Sequence, residues 1–163
     1  MDHPQRVTAL GILHSPHRRD PAARKAILKR VEQTKRDGPS VTVEDALERW
    51  FTDRFREDNP ATIDLVRGWV MANDKQVYPE AYQVLADGVE ERVAPSPAIA
   101  CPARVMTGDQ DFGNPPEMTR AIADEISGAR VVILSGLRHL ALAEDPARVN
   151  NVLLSFLDHV NGE

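Results

Sequence analysis

Apolar residues first bunch at Val7-Thr8-Ala9-Leu10-Gly11-Ile12-Leu13, a short, nearly continuous and partly β-branched run. Such a run fits a strand covered on both faces of a parallel sheet. From about Asp20 to about Gly88 the spacing becomes helical. Asp20-Pro21 offers an N-cap with proline at the first helical position, Ala23, Ile27 and Val31 recur on one face, and Gly38-Pro39 stops the run. Thr42-Val43-Glu44-Asp45 has the form of a capping box. It predicts a helix with Val43, Leu47, Trp50, Phe51 and Phe55 on one side. Asn59-Pro60 predicts another, with Ile63, Val66, Trp69 and Val70 inward, and a shorter helix is expected from Pro79 to Leu85.

Val93 to Pro102, with Pro95 and Pro97 between, reads as a connector. The pattern then alternates. Ala103 to Thr107 predicts a strand, Asn114-Pro115 opens a helix to about Ser127 closed by Gly128, and Val131 to Leu134 predicts a further strand. A loop carrying His139 follows, and Asp145-Pro146 opens a last helix with Val149, Val152, Leu153 and Phe156 inward. Strands alternating with helices predict an α/β chain with a three-stranded parallel sheet segment, flanking helices and right-handed crossovers. The helical block over residues 16–94 is too long for a simple crossover and reads as an insertion. The expected division is 1–15 with 95–163 as the core and 16–94 as the insertion.

Charge changes this picture only locally. Residues 1–56 hold 12 Lys/Arg against 8 Asp/Glu, and residues 57–163 hold 8 against 17. Asp20, Glu32 and Asp37 interrupt the basic stretch and no aromatic side chains interleave with it. It therefore reads as a solvated helix face, and no nucleic-acid partner is expected. No apolar run is long enough to span a membrane, so no membrane partner is expected either. Met1 is followed by Asp2-His3-Pro4, unlike a signal peptide, and Cys101 is the single cysteine. An intrachain disulfide is excluded, and a reducing, cytoplasmic compartment is the expectation.

The candidate chemistry comes from strand ends. Ligands of parallel α/β sheets bind beyond the carboxyl ends of the strands. Asp109 and Asp111 lie just past one predicted strand, and His139 just past the next. Neighbouring strands run about 4.8 Å apart, so loops at adjacent ends can meet. A histidine takes and returns a proton near neutral pH, and a carboxylate on its other ring nitrogen fixes the tautomer. On spacing alone, a turn aspartate and a capping histidine are the favoured reading. Asp109-x-Asp111 before Asn114 hints at a calcium loop, but the glycine is misplaced at Gly113 and Pro115-Pro116 would break it. His14 and His17 lack cysteine or histidine partners at zinc spacing, so no metal site is expected.

Longer segments carry a family resemblance. Cys101-Pro102-Ala103-Arg104-Val105-Met106-Thr107-Gly108-Asp109-Gln110-Asp111, then Pro115-Pro116-Glu117, Gly136-Leu137-Arg138-His139 and Glu144-Asp145-Pro146 resemble the late segments of α/β-fold hydrolases. His3-Pro4-Gln5-Arg6-Val7 resembles the family's lead-in to its sixth strand. The resemblance implies that Asp111 is the acid of a catalytic triad and His139 its histidine, and that the insertion is a helical cap. Arg49-Trp50-Phe51-Thr52, Asn59-Pro60 and Tyr82 are similar to the cap of 3-oxoadipate enol-lactonases. Trp50, Phe51 and Leu140 are the implied substrate-binding positions.

The nucleophile is missing. The family order is nucleophile, acid, histidine, with the nucleophile in a Gly-x-Ser-x-Gly elbow. Ser15, Ser40, Ser96, Ser127, Ser135 and Ser155 all lack the flanking glycines. The resemblance therefore implies the carboxyl-terminal half of a carboxylic ester or lactone hydrolase that takes a small-molecule substrate and needs no cofactor. A non-catalytic binding or assembly module, and dehalogenase or perhydrolase chemistry, are the alternatives. The apolar strand at 7–13 would then be an open edge, which predicts a homodimer or pairing with a separate amino-terminal half.

Overall fold

The structure, a computed structural model, describes residues 3–88 and 98–162. Half of the expected connector at Val93–Pro102, residues 93–97, thus lies outside the described residues. The chain divides into two compact units, one spanning residues 18–88 and the other gathering the residues before Arg18 with those from 98 onward.

The helical unit contains α1 (Pro21–Asp37), α2 (Val43–Trp50), α3 (Asp53–Asp58), α4 (Pro60–Met71) and α5 (Val77–Asp87). Asp20 caps α1 by accepting a hydrogen bond from the Ala23 N–H at 2.8 Å, and Gly38, at φ 83°, ends it. The expected capping box does not form. A short 3-10 turn over Pro39–Val41 precedes α2, and the Thr42 hydroxyl donates to the Pro39 carbonyl instead of capping the helix. The single helix expected to reach Phe55 is two helices. Phe51 is extended (φ −124°, ψ 145°), and the Thr52 hydroxyl starts α3 by accepting from the Phe55 N–H. Ile63, Val66 and Val70 point inward on α4, but Trp69 is 63 % exposed, contrary to expectation. Asn59 does not cap α4; its side-chain amide donates to the Phe55 carbonyl. Val31, Ala46, Leu47 and Phe51 are fully buried. Burying a side chain of that size stabilises by about 1.5–3 kcal/mol relative to exposure.

The sheet unit is built on β1 (Leu10–Leu13), β2 (Ala103–Gly108) and β3 (Arg130–Leu134), all parallel in the order β1-β2-β3. β1 is shorter than its apolar run. Leu10 pairs with Ala103 and its N–H donates to the Pro102 carbonyl. Pro102 has no N–H to carry the ladder further back. β1 is also less covered than expected, with Gly11 exposed and its neighbours half-buried, whereas β2 is buried at five of its six positions. α6 (Pro116–Asp124) connects β2 to β3, and α7 (Ala141–Glu144) and α8 (Pro146–Asn161) follow β3. Asp145 caps α8 through the Arg148 N–H at 3.0 Å. Met106, Leu134, Leu137, Ala141 and Val149 form a core cluster beneath the carboxyl ends of β2 and β3. Among the described residues no helix is long and apolar enough to cross a membrane.

Candidate acid–base site

The loops after all three strands converge. β2 ends at Gly108, and the chain turns so that the Asp111 N–H bonds the Gly108 carbonyl at 3.3 Å. The loop after β3 turns at Gly136, whose φ of 76° suits glycine. The second loop then lies directly on the first. The Gln110 N–H donates to the Leu137 carbonyl at 3.0 Å. A Cβ on Gly108 would stand 2.1 Å from that carbonyl oxygen, so only glycine admits this approach. Asp109 tightens the junction by accepting from the Gly136 N–H at 2.7 Å. Asp109 and Asp111 thus serve different hydrogen-bond partners.

Asp111 is 2 % exposed. Its Oδ1 accepts from the Gly113 N–H at 3.0 Å and the Asn114 N–H at 2.9 Å. Its Oδ2 lies 2.8 Å from Nδ1 of the half-buried His139. Burial by itself pushes the Asp111 carboxyl up. Hydrogen bonds from His139 and His14, the His139 charge and the Asn114 N–H outweigh it and hold the group well below the usual carboxylate range. Asp111 is therefore an anion at any physiological pH. With Nδ1 donating to it, the neutral His139 ring keeps its lone pair on Nε2, ready to accept a proton.

A third strand end contributes His14, immediately after β1. Its Nδ1 lies 3.2 Å from Asp111 Oδ2 and 3.2 Å from the Thr107 hydroxyl. Its ring stands edge-on to His139, with centroids 5.6 Å apart and planes at 78°. His14 has φ 47°, the one positive φ outside glycine among the described residues. That left-handed conformation costs roughly 1–2 kcal/mol. Two bonds hold it: the His14 N–H donates to the Met106 carbonyl at 2.8 Å, and the His14 carbonyl accepts from Asn114 Nδ2 at 2.6 Å. Thr107, fully buried, is within hydrogen-bond reach of both Asp111 Oδ2 at 3.2 Å and the Asn114 carbonyl at 3.1 Å.

His14, Asp111 and His139 place donor atoms within 4.8 Å of one another, close enough in principle to surround an ion. Their mutual hydrogen bonds already account for the clustering. Of the other positions read from the sequence, Trp50 is half-buried at the end of α2, and Phe51 is buried and stacked on Phe55 at 5.3 Å, both in the helical unit. Leu140 is half-buried beside His139 in the sheet unit. His14, Thr107 and Asn114 were not anticipated. His14 is legible by the rule that selects Asp111 and His139, since it too directly follows a strand.

No family model matches the chain. The chain is 27 % identical over 155 residues to an Acinetobacter baylyi protein, (E)-2-((N-methylformamido)methylene)succinate hydrolase, covering 95 % of this chain and 57 % of that protein. A thermophilic esterase from Thermogutta terrifontis superposes with a TM-score of 0.82 at 23 % identity, over 97 % of this chain and 58 % of the esterase. The enol-lactonase of Burkholderia xenovorans gives a TM-score of 0.85 at 24 % identity, over 95 % and 58 %. The chain therefore spans little more than half the length of the proteins it matches. Across nearly its whole length, this chain has part of the α/β-hydrolase fold.

Proposed function

We propose that this chain carries the acid and base of a carboxylic ester or lactone hydrolase whose nucleophile lies outside residues 1–163. The 2.8 Å contact between His139 Nδ1 and the buried Asp111 carboxylate carries the reading. His139 Nε2 takes the proton of an attacking hydroxyl, and Asp111 stabilises the imidazolium. The same proton passes to the leaving alcohol as an acyl-enzyme forms; a second pass, with water, frees the acid. The similarity to an esterase, an enol-lactonase and a succinate-derivative hydrolase supports a small ester or lactone as substrate.

In this reading residues 16–94 act as a cap that carries Trp50, and Leu140, beside His139, contacts the substrate. Phe51, the third implied position, is buried in the helical unit and stacked on Phe55. The free edge of β1 receives a strand that completes the sheet, from an amino-terminal segment on the same or a separate polypeptide.

The test is hydrolysis of a short-chain chromogenic ester. The chain alone is expected to give no acyl-enzyme burst. Supplied with an elbow-bearing amino-terminal segment, it should turn over the ester. Asp111→Asn should then lower kcat about ten-thousand-fold, because asparagine holds the wrong histidine tautomer. Turnover that survives both Asp111→Asn and His139→Ala would overturn the assignment.

A further inference from the structure

The acid–base scheme makes no use of His14, yet His14 is buried, strained and aimed at the same carboxylate oxygen as His139. Proton counting fixes its state. Thr107 has one hydroxyl proton, and the Asn114 carbonyl can only accept. A bare Nδ1 on His14 would set its lone pair 3.2 Å from the Asp111 anion and take the Thr107 proton from both oxygens. A proton on Nδ1 satisfies every group at once: His14 donates to Asp111, and Thr107 donates to Asn114. The ring therefore carries a proton on Nδ1. Nε2 of His14 is buried with no hydrogen-bond partner among the described residues.

We propose that His14 is a positioning residue for the acid–base pair: donating Nδ1–H to the oxygen that His139 uses, it fixes the carboxylate and draws off part of its negative charge, so that His139 surrenders its proton more readily to a leaving group. The inference rests on the reading of Asp111 and His139 as acid and base. A carboxylate with one donor clings to the imidazolium; one that shares its oxygen among several donors binds it less tightly. Other ionisable groups on the surrounding elements engage elsewhere. Asp109 binds the Gly136 N–H, Arg138 lies over the Phe112 ring, Glu144 accepts from the Arg138 N–H, and His17 pairs with Glu125.

The experiment needs no nucleophile. Imidazole nitrogen resonances of this chain, followed by NMR across pH, report which nitrogen of each histidine is protonated and when His139 gains its second proton. Native His14 should hold a proton on Nδ1. His14→Leu should move the His139 midpoint upward by about half a pH unit or more. His14→Asn, whose side-chain amide donates and whose backbone tolerates positive φ, should move it back. A bare Nδ1 on native His14, or a His139 midpoint unmoved in folded His14→Leu, would overturn the proposal. The tautomer readout needs no variant, so it decides the question even if His14→Leu does not fold. Failure of the underlying reading looks different: Asp111→Asn would leave the His139 resonances where they are.

Discussion

The sheet unit and the helical unit are stabilised in different ways. Where the strands end, buried polar side chains interlock: His14, Thr107, Asp111 and Asn114 are each at most 6 % exposed and bond one another across up to a hundred residues of sequence. In the helical unit the fully buried side chains are mostly apolar. The buried Thr34 and Thr42 satisfy their hydroxyls on carbonyls three or four residues back. Its ion pairs, such as Arg67–Glu44 and Arg24–Asp87, lie at the surface, where solvent screening leaves a pair little net effect. Leu65, Trp69, Val77 and Val84 are more than half exposed. One region is specified by directional bonds that tolerate little change. The other is held by non-directional packing, which accepts substitutions of similar volume.

Glycine substitution breaks the comparison most sharply. Gly108→Ala drives a methyl group into the Leu137 carbonyl and should cost about 3 kcal/mol in denaturant unfolding, while separating the Asp111 and His139 loops. Normal stability with an intact His139–Asp111 resonance pattern would show that the junction yields more easily than its geometry implies. Acid comes next. Asp111 has a carboxyl depressed in the folded state, so its stabilisation is fully present above the unfolded value near 3.9 and is lost as pH falls through the folded one. Unfolding midpoints should therefore fall below about pH 4 in the native chain. Asp111→Asn should flatten that limb; an unchanged limb would assign it to other carboxylates. The smallest effect has the opposite sign. Gly68 sits exposed within α4 with nothing within 4 Å of an added Cβ. Gly68→Ala should stabilise by about 0.5–1 kcal/mol in the same measurement. Destabilisation there would mean the helical unit is as constrained as the sheet unit.

Much of this was legible in the sequence where the signal is local. Asp20-Pro21 and Asp145-Pro146 cap helices as expected because the acceptor and the N–H are three residues apart. β2 and β3 follow from compact apolar runs. Thr42 misled because the 3-10 turn before it offered its hydroxyl a competing acceptor. Trp69 misled because helical spacing marks a face without saying how wide the covered stripe is. The meeting of Asp111 with His139 was anticipated from adjacent strand ends. His14 was not, because its distance from Asp111, 97 positions along the chain, vanishes only when β1 is laid beside β2.

The two amides held by Asp111 Oδ1 have one more consequence. Gly113 and Asn114 belong to no ladder or helix, and the acceptor of their N–H groups is an ionisable side chain. Their protection against solvent hydrogen exchange is thus tied to the charge of that side chain. Deuterium uptake at these two positions would report the ionisation of Asp111 in a resting protein, with no substrate bound and no turnover.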